Sequence, residues 1–236
     1  MGESAGVVGG GKLARTSCVT VDFAVLSLKG KDGITAIKLM MACNDLTLAN
    51  HAQGQWEHPQ PSALRYRAQG ARQYFVRLQI GHLQEGLAVV KEVEKSPTLS
   101  SICLTLEPDL QQTYAELLEY AEGGRRRAEF QDLARIRSDL TFHYNKTGKV
   151  IQKAMLSRAA RPHSRISLMT RSDHVHYWHF KAADDVIETA IVRDIWNIPI
   201  NTDTQAEADV RSDHIFRLAI RFADFASVLV WKFLKH

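Results

Sequence analysis

Apolar positions along most of this chain recur with the three- and four-residue spacing of helices buried on one side. From Ile34 to about Asn50 they are Ile34, Ile37, Met40, Met41 and Leu48, which predicts a first helix. Gln53 to Ser62, with Pro59 and Pro61, reads as a loop. Ala63 to about Lys95 holds no proline, and Leu64, Ala71, Tyr74, Phe75, Leu78, Leu87, Val90 and Val93 fall near one stripe. One helix of ~50 Å is expected there, at 1.5 Å per residue. Ser96-Pro97, a cap followed by proline at the first helical position, starts a short helix through Leu104. Glu107-Pro108 starts another, which Gly123-Gly124 ends. Arg125-Arg126-Arg127 opens the helix carrying Phe130, Leu133 and Ile136, and Lys149 to Ala160 is the next. Past Arg161-Pro162 the pattern changes. Ser164 to Phe180 is rich in Ser, His and aromatic residues without helical period, and is expected to be irregular or extended. Ala182 to Trp196 is helical and Pro199 ends it. Ala206 to about Phe233 is a last long helix burying Ile215, Leu218, Ala219, Phe222, Phe225, Val228 and Leu229. Val19 to Leu28, β-branched and partly alternating, predicts instead a short N-terminal strand, broken by Lys29 to Gly33.

These elements predict an all-α bundle of long helices. Residues 1–30 form a tail with the strand, 31–160 the helical bundle, and 161–236 an aromatic- and His-rich segment with C-terminal helices packing on that bundle. A formal charge of +4 and a pI near 9.0 permit an RNA partner without demanding one. Cys18, Cys43 and Cys103 are far apart and odd in number, which argues against a disulfide framework or zinc spacing and for a reducing compartment. No apolar run reaches the ~20 residues that span a bilayer. The N-terminus lacks the charged-then-apolar order of a signal peptide. A cytoplasmic protein without a membrane partner is therefore expected. Gly6 to Lys12 spells the phosphate-loop pattern, but Leu13 replaces the magnesium-holding Ser or Thr and no strand precedes it.

The stretch richest in chemistry is Arg137-Ser138-Asp139-Leu140-Thr141-Phe142-His143-Tyr144-Asn145. A guanidinium grips phosphate with a planar fork of donors, and an imidazole moves protons near neutral pH. On an unbroken helix the six residues from Arg137 to His143 turn ~600°, leaving the side chains ~120° apart. They converge only where the helix ends or distorts, and Asn145, Thr147 and Gly148 are turn and cap residues. Otherwise the two residues merely cap and pack helix ends.

This stretch resembles the R-x4-6-H motif of the HEPN superfamily, in the form seen in its abortive-infection-like members. The resemblance implies an up-and-down helical bundle that dimerises, with two motifs facing each other across a composite cleft. It implies a metal-independent endoribonuclease without cofactor, of toxin or phage-defence type, with RNA as substrate and a neutralising partner protein. It assigns phosphate binding to Arg137 and acid–base work to His143, with Ser138, Asp139, Tyr144 and Asn145 as weaker substrate contacts. Ser138 stands where many members have Asn, Asp or His.

Arg77 and His82 also have R-x4-H spacing, but mid-helix they point ~140° apart, so a buried or interhelical His82 beside a close-packing Gly81 is expected. His82 and Glu85 share a helix face without completing a di-iron set. His174, His176 and His179 beside Asp173 form the densest imidazole cluster, yet no clear carboxylate or thiolate completes a metal site there. The alternative to the nuclease is a non-catalytic helical binding or scaffold module recognising a protein or small ligand through Ser164–Trp196.

Overall fold

The computed structural model describes residues 20–57, 65–121, 123–142, 148–171, 173, 179–199 and 203–235. Regular structure among them is helical, and their strand-like pairing is one isolated bridge between Thr170 and His179. The fold is an all-α bundle.

The expected N-terminal strand is corrected to a helix over its described part. Asp22 caps α1 (Phe23–Leu28), its carboxylate accepting from the amides of Ala24 at 2.8 Å and Val25 at 3.3 Å. Those bonds satisfy amide groups a helix start leaves open, and they override the β preference of Val25. Gly30, at φ 57°, turns the chain directly into α2 (Gly30–Glu57). That helix continues through residues 53–57, where a loop was expected.

The buried face of α2 also differs from the expected stripe. Ala36, Leu39, Ala42, Leu46 and Ala49 face inward, whereas Ile34, Met41 and Leu48 are 58%, 59% and 67% exposed. Three alanines beside the fully buried Leu39 and Leu46 let neighbouring backbones come close, and the expected Ile37 and Met40 pack partly buried against the same core.

The long helix α3 (Arg65–Lys95) forms as expected, roughly 46 Å at 1.5 Å per residue. It runs antiparallel to α2. Asp32 meets Ser96, Lys38 meets Glu92, Asp45 meets His82 and Gln53 meets Gln79, one series rising as the other falls. Next come α4 (Pro97–Cys103), capped by the Ser96 hydroxyl, and α5 (Pro108–Leu118). The regular part of α5 ends before the expected Gly123. The amides of Glu119, Tyr120 and Ala121 bond three residues back, tightening the turn, and Tyr120 is only 2% exposed.

Beyond it, α6 (Arg127–Ile136) runs straight into a π-helical turn, Arg137–Thr141. The next helices are α7 (Lys149–Ala159) and α8 (Lys181–Thr189), the latter extended by a second π turn, Ala190–Ile195. Between them the chain makes a 3₁₀ turn at Pro162–Ser164 and is otherwise irregular where described. Last is α9 (Thr204–Lys235), which runs antiparallel to α5, Thr113 meeting Arg221 and Tyr120 meeting His214.

Phe222, Phe225 and Phe233 of α9 are buried with Leu39 and Leu46 of α2 and Ile80, Leu83 and Leu87 of α3 in one core. Gly86 makes room for it: a Cβ there would lie 2.6 Å from the Phe222 ring. Among the described residues, no helix is long and apolar enough to cross a membrane.

Candidate functional site

The π turn begins at the arginine singled out from sequence. The Phe142 amide donates to the Arg137 carbonyl at 3.2 Å, a five-residue step that adds one residue to the turn. Two contacts hold this wider turn. The Thr141 hydroxyl donates to the Ile136 carbonyl at 3.1 Å. The Arg77 guanidinium, buried to 7% exposure, donates to the Leu140 carbonyl at 2.5 Å. Arg77, the first half of the weaker R-x4-H spacing, thus braces the backbone of the stronger one.

Arg137 lies along α3. Its Nη2 is 2.6 Å from Glu85 Oε1, and its side chain is 35% exposed against 53% for Glu85. The guanidinium carbon is 5.9 Å from the centre of the Phe142 ring. Phe142 in turn packs onto Gly81, where a Cβ would stand 2.8 Å from the ring. The close approach expected of Gly81 is therefore to Phe142. His82 meets the same ring edge-on, with centroids 6.2 Å apart, and its Nδ1 is 3.4 Å from Asp45 Oδ2. A half-exposed arginine and an imidazole with a carboxylate neighbour consequently flank one aromatic ring. Such a pairing can bind a phosphate oxygen and move a proton.

Ser138 and Asp139 are partly exposed and engage each other at 3.1 Å, and no contact joins either to the Arg137 guanidinium. His143, Tyr144 and Asn145 lie outside the described residues. So do His174 and His176. His179 is described: its Nε2 is 3.2 Å from Asp184 Oδ2, and its backbone pairs with Thr170. Burial pushes the Asp184 carboxyl above its usual range, against the lowering effect of His179 and Arg77. Among the described residues, no group of three His, Cys, Asp or Glu side chains is placed to hold a metal ion.

From sequence Glu85 was weighed only with His82 for a di-iron set, and Asp45 was not singled out. Glu85 is 52 positions from Arg137, and only the packing of α6 on α3 joins them. No family model, characterised protein or solved structure matches this chain.

Proposed function

We propose that this chain is a HEPN-like, metal-independent endoribonuclease acting as a homodimer with a composite cleft, in a toxin or phage-defence setting with a neutralising partner. The observation that supports this reading is the π turn at Arg137–Thr141. It sets Arg137 at the head of a wider turn braced by Arg77 and Thr141, with the guanidinium partly exposed beside the Phe142 ring, and π turns recur at functional sites. In this mechanism the RNA 2′-oxygen attacks phosphorus and the bond to the 5′-oxygen breaks. His143 moves the proton of the 2′-hydroxyl or the leaving oxygen, while Arg137 meets the charge gathering on the phosphoryl oxygens. Ser138, Asp139, Tyr144 and Asn145 contact the substrate. Glu85 leaves Arg137 available, since a solvent-reached ion pair contributes only ~0–1 kcal/mol and a phosphate oxygen displaces it readily.

A labelled-RNA cleavage assay on wild type, Arg137→Ala and His143→Ala tests the proposal, with chelator present throughout. Wild type cleaves, and His143→Ala loses ~10²–10⁴ in rate with unchanged melting. Intact RNA with wild type, or full cleavage by His143→Ala, sinks it.

The second reading is a non-catalytic binding module. What favours it is the exposure of Ile166, Leu168, Met169 and Phe180 on and beside the irregular segment, at 83%, 57%, 70% and 50%. Uncleaved RNA with wild type and the motif variants alike is its expected result.

A further inference from the structure

At the end of α6 opposite Arg137, roughly 15 Å away at 1.5 Å per residue, a second concentration of chemistry appears. A cleft of about 470 Å³ opens between the end of α5, the turn after it and the first half of α9. Its volume suits a small ligand. Its wall includes Tyr120, a residue only 2% exposed, whose hydroxyl takes a hydrogen bond from Arg126 and lies 2.8 Å from His214 Nε2. Arg125 and Arg126 enter from one wall. Arg217 and Arg221, one helical turn apart on α9, enter from the other.

Four guanidiniums line the cleft with two acids, and Arg125 pairs with Glu119 and Arg221 with Glu116. Glu129 and Asp213 stand at its edge and pair with Arg126 and Arg217. The contacts of Arg126 to Glu119 and Glu129 are long, 3.9 and 3.7 Å, so no carboxylate holds its guanidinium closely, while its Nη1 is anchored on the Tyr120 hydroxyl and lies 3.2 Å from His214 Nε2. Arg221 reaches Thr113 at 3.1 Å as well as Glu116, which holds its plane in place. Planar forks from two sides match the oxygens of a phosphate, and a buried hydroxyl beside an imidazole adds fixed polar contacts. Burial pushes the Tyr120 hydroxyl up, so it keeps its proton at neutral pH.

We propose that this cleft binds a phosphomonoester group, with Arg126 and Arg221 as the principal ligands and Tyr120 and His214 as the polar wall. Competition with the resident carboxylates is part of the site. Exposed ion pairs of this kind exchange at little cost, whereas a dianion bridging two guanidiniums gains several charge-assisted bonds.

Calorimetric titration of the full chain with inorganic phosphate, and separately with adenosine 5′-monophosphate, tests this. Both give saturable one-to-one binding; tighter nucleotide binding identifies a nucleotide as the source of the group, and equal binding identifies free phosphate. Arg126→Gln and Arg221→Gln each weaken binding about tenfold or more. Glu119→Gln tightens it by removing a competitor. No saturation by millimolar phosphate or nucleotide overturns the proposal and leaves a self-neutralised ion-pair network. Unchanged affinity in Arg221→Gln with wild-type melting overturns it equally.

Discussion

Glu85 on α3 holds the guanidinium of Arg137 at 2.6 Å, joining that long helix to the first residue of the π turn. Both side chains are more than a third exposed to water, so the pair orients Arg137 more than it stabilises the fold. Glu85→Gln should therefore cost no more than about 1 kcal/mol in chemical denaturation. The same variant should bind a labelled single-stranded RNA more tightly, because one negative charge no longer competes with phosphate. Fluorescence anisotropy at fixed salt reads the difference. Weaker binding would mean that Glu85 is needed to aim the guanidinium.

Gly81 and Gly86 both press against aromatic rings, yet their alanine variants should behave differently. Phe222, facing Gly86, is fully buried, so Gly86→Ala overpacks the core and costs ~1–3 kcal/mol by denaturant titration. Phe142, facing Gly81, is 42% exposed and can swing outward. Gly81→Ala should leave melting nearly unchanged while reducing RNA cleavage, since it moves the ring between His82 and Arg137.

The exposed Ile34, Met41 and Leu48 recur every seven residues on α2, with Lys38 and Asp45 beside them. A two-fold axis near Met41 would set Ile34 against a second copy's Leu48 and Lys38 near its Asp45, which would make the stripe complementary to itself in shape and charge. Asp45 also touches His82, which brings such an interface to the edge of the Arg137 site. Met41→Glu should convert a dimer into monomer in sedimentation at micromolar concentration and abolish a shared active site. A wild type that is already monomeric refutes this interface.

Asp184 and Asp185 are neighbours with opposite pH behaviour. Burial raises the Asp185 carboxyl, but hydrogen bonds from Lys181 and Ser167 and the charge of Arg158 outweigh it and hold the group below the usual 3.8. Its contribution to stability is complete above that value and drains away as pH falls below it. Asp184 is raised, mainly by burial, so its contribution is present in acid and is lost as pH rises through its folded value. Asp185→Asn should cost ~1–3 kcal/mol at neutral pH, shrinking as pH is lowered below about 4. Asp184→Asn should cost little or stabilise at neutral pH. Denaturant titrations at both ends of the range check the two signs.

Much of the helical layout was legible from sequence. Ser96-Pro97 starts its helix where the capping rule puts it, and the proline-free run ending at Lys95 is one helix. The face of α2 was read only in part: Ile37 and Met40 pack on the core, but Leu39, Leu46 and three alanines carry the buried face, and periodicity gives alanine little weight. The N-terminal segment was misread because a single capping carboxylate, Asp22, outweighs the β preference of the residues after it. At the candidate site the turn residues Asn145, Thr147 and Gly148 pointed to a break near His143, which lies outside the described residues, and the π turn at Arg137–Thr141 was not foreseen. Nor were its supports: Arg77, Gly81 and Glu85 lie on another helix, and nothing in local spacing ties them to residues 137–142.

The π turn is also a statement about length. A π turn holds one residue more than the α-helical turn it replaces. Removing one residue from Ser138 to Thr141 would let α6 continue as ordinary helix with the chain beyond it in nearly its present orientation, because the surplus residue is absorbed within the turn. The Phe142 ring would keep its place on Gly81, and the bulged carbonyl that Arg77 holds would be lost. The length of the motif is thereby tied to Arg77 on α3, whose buried guanidinium would have to find another acceptor beside a shorter one.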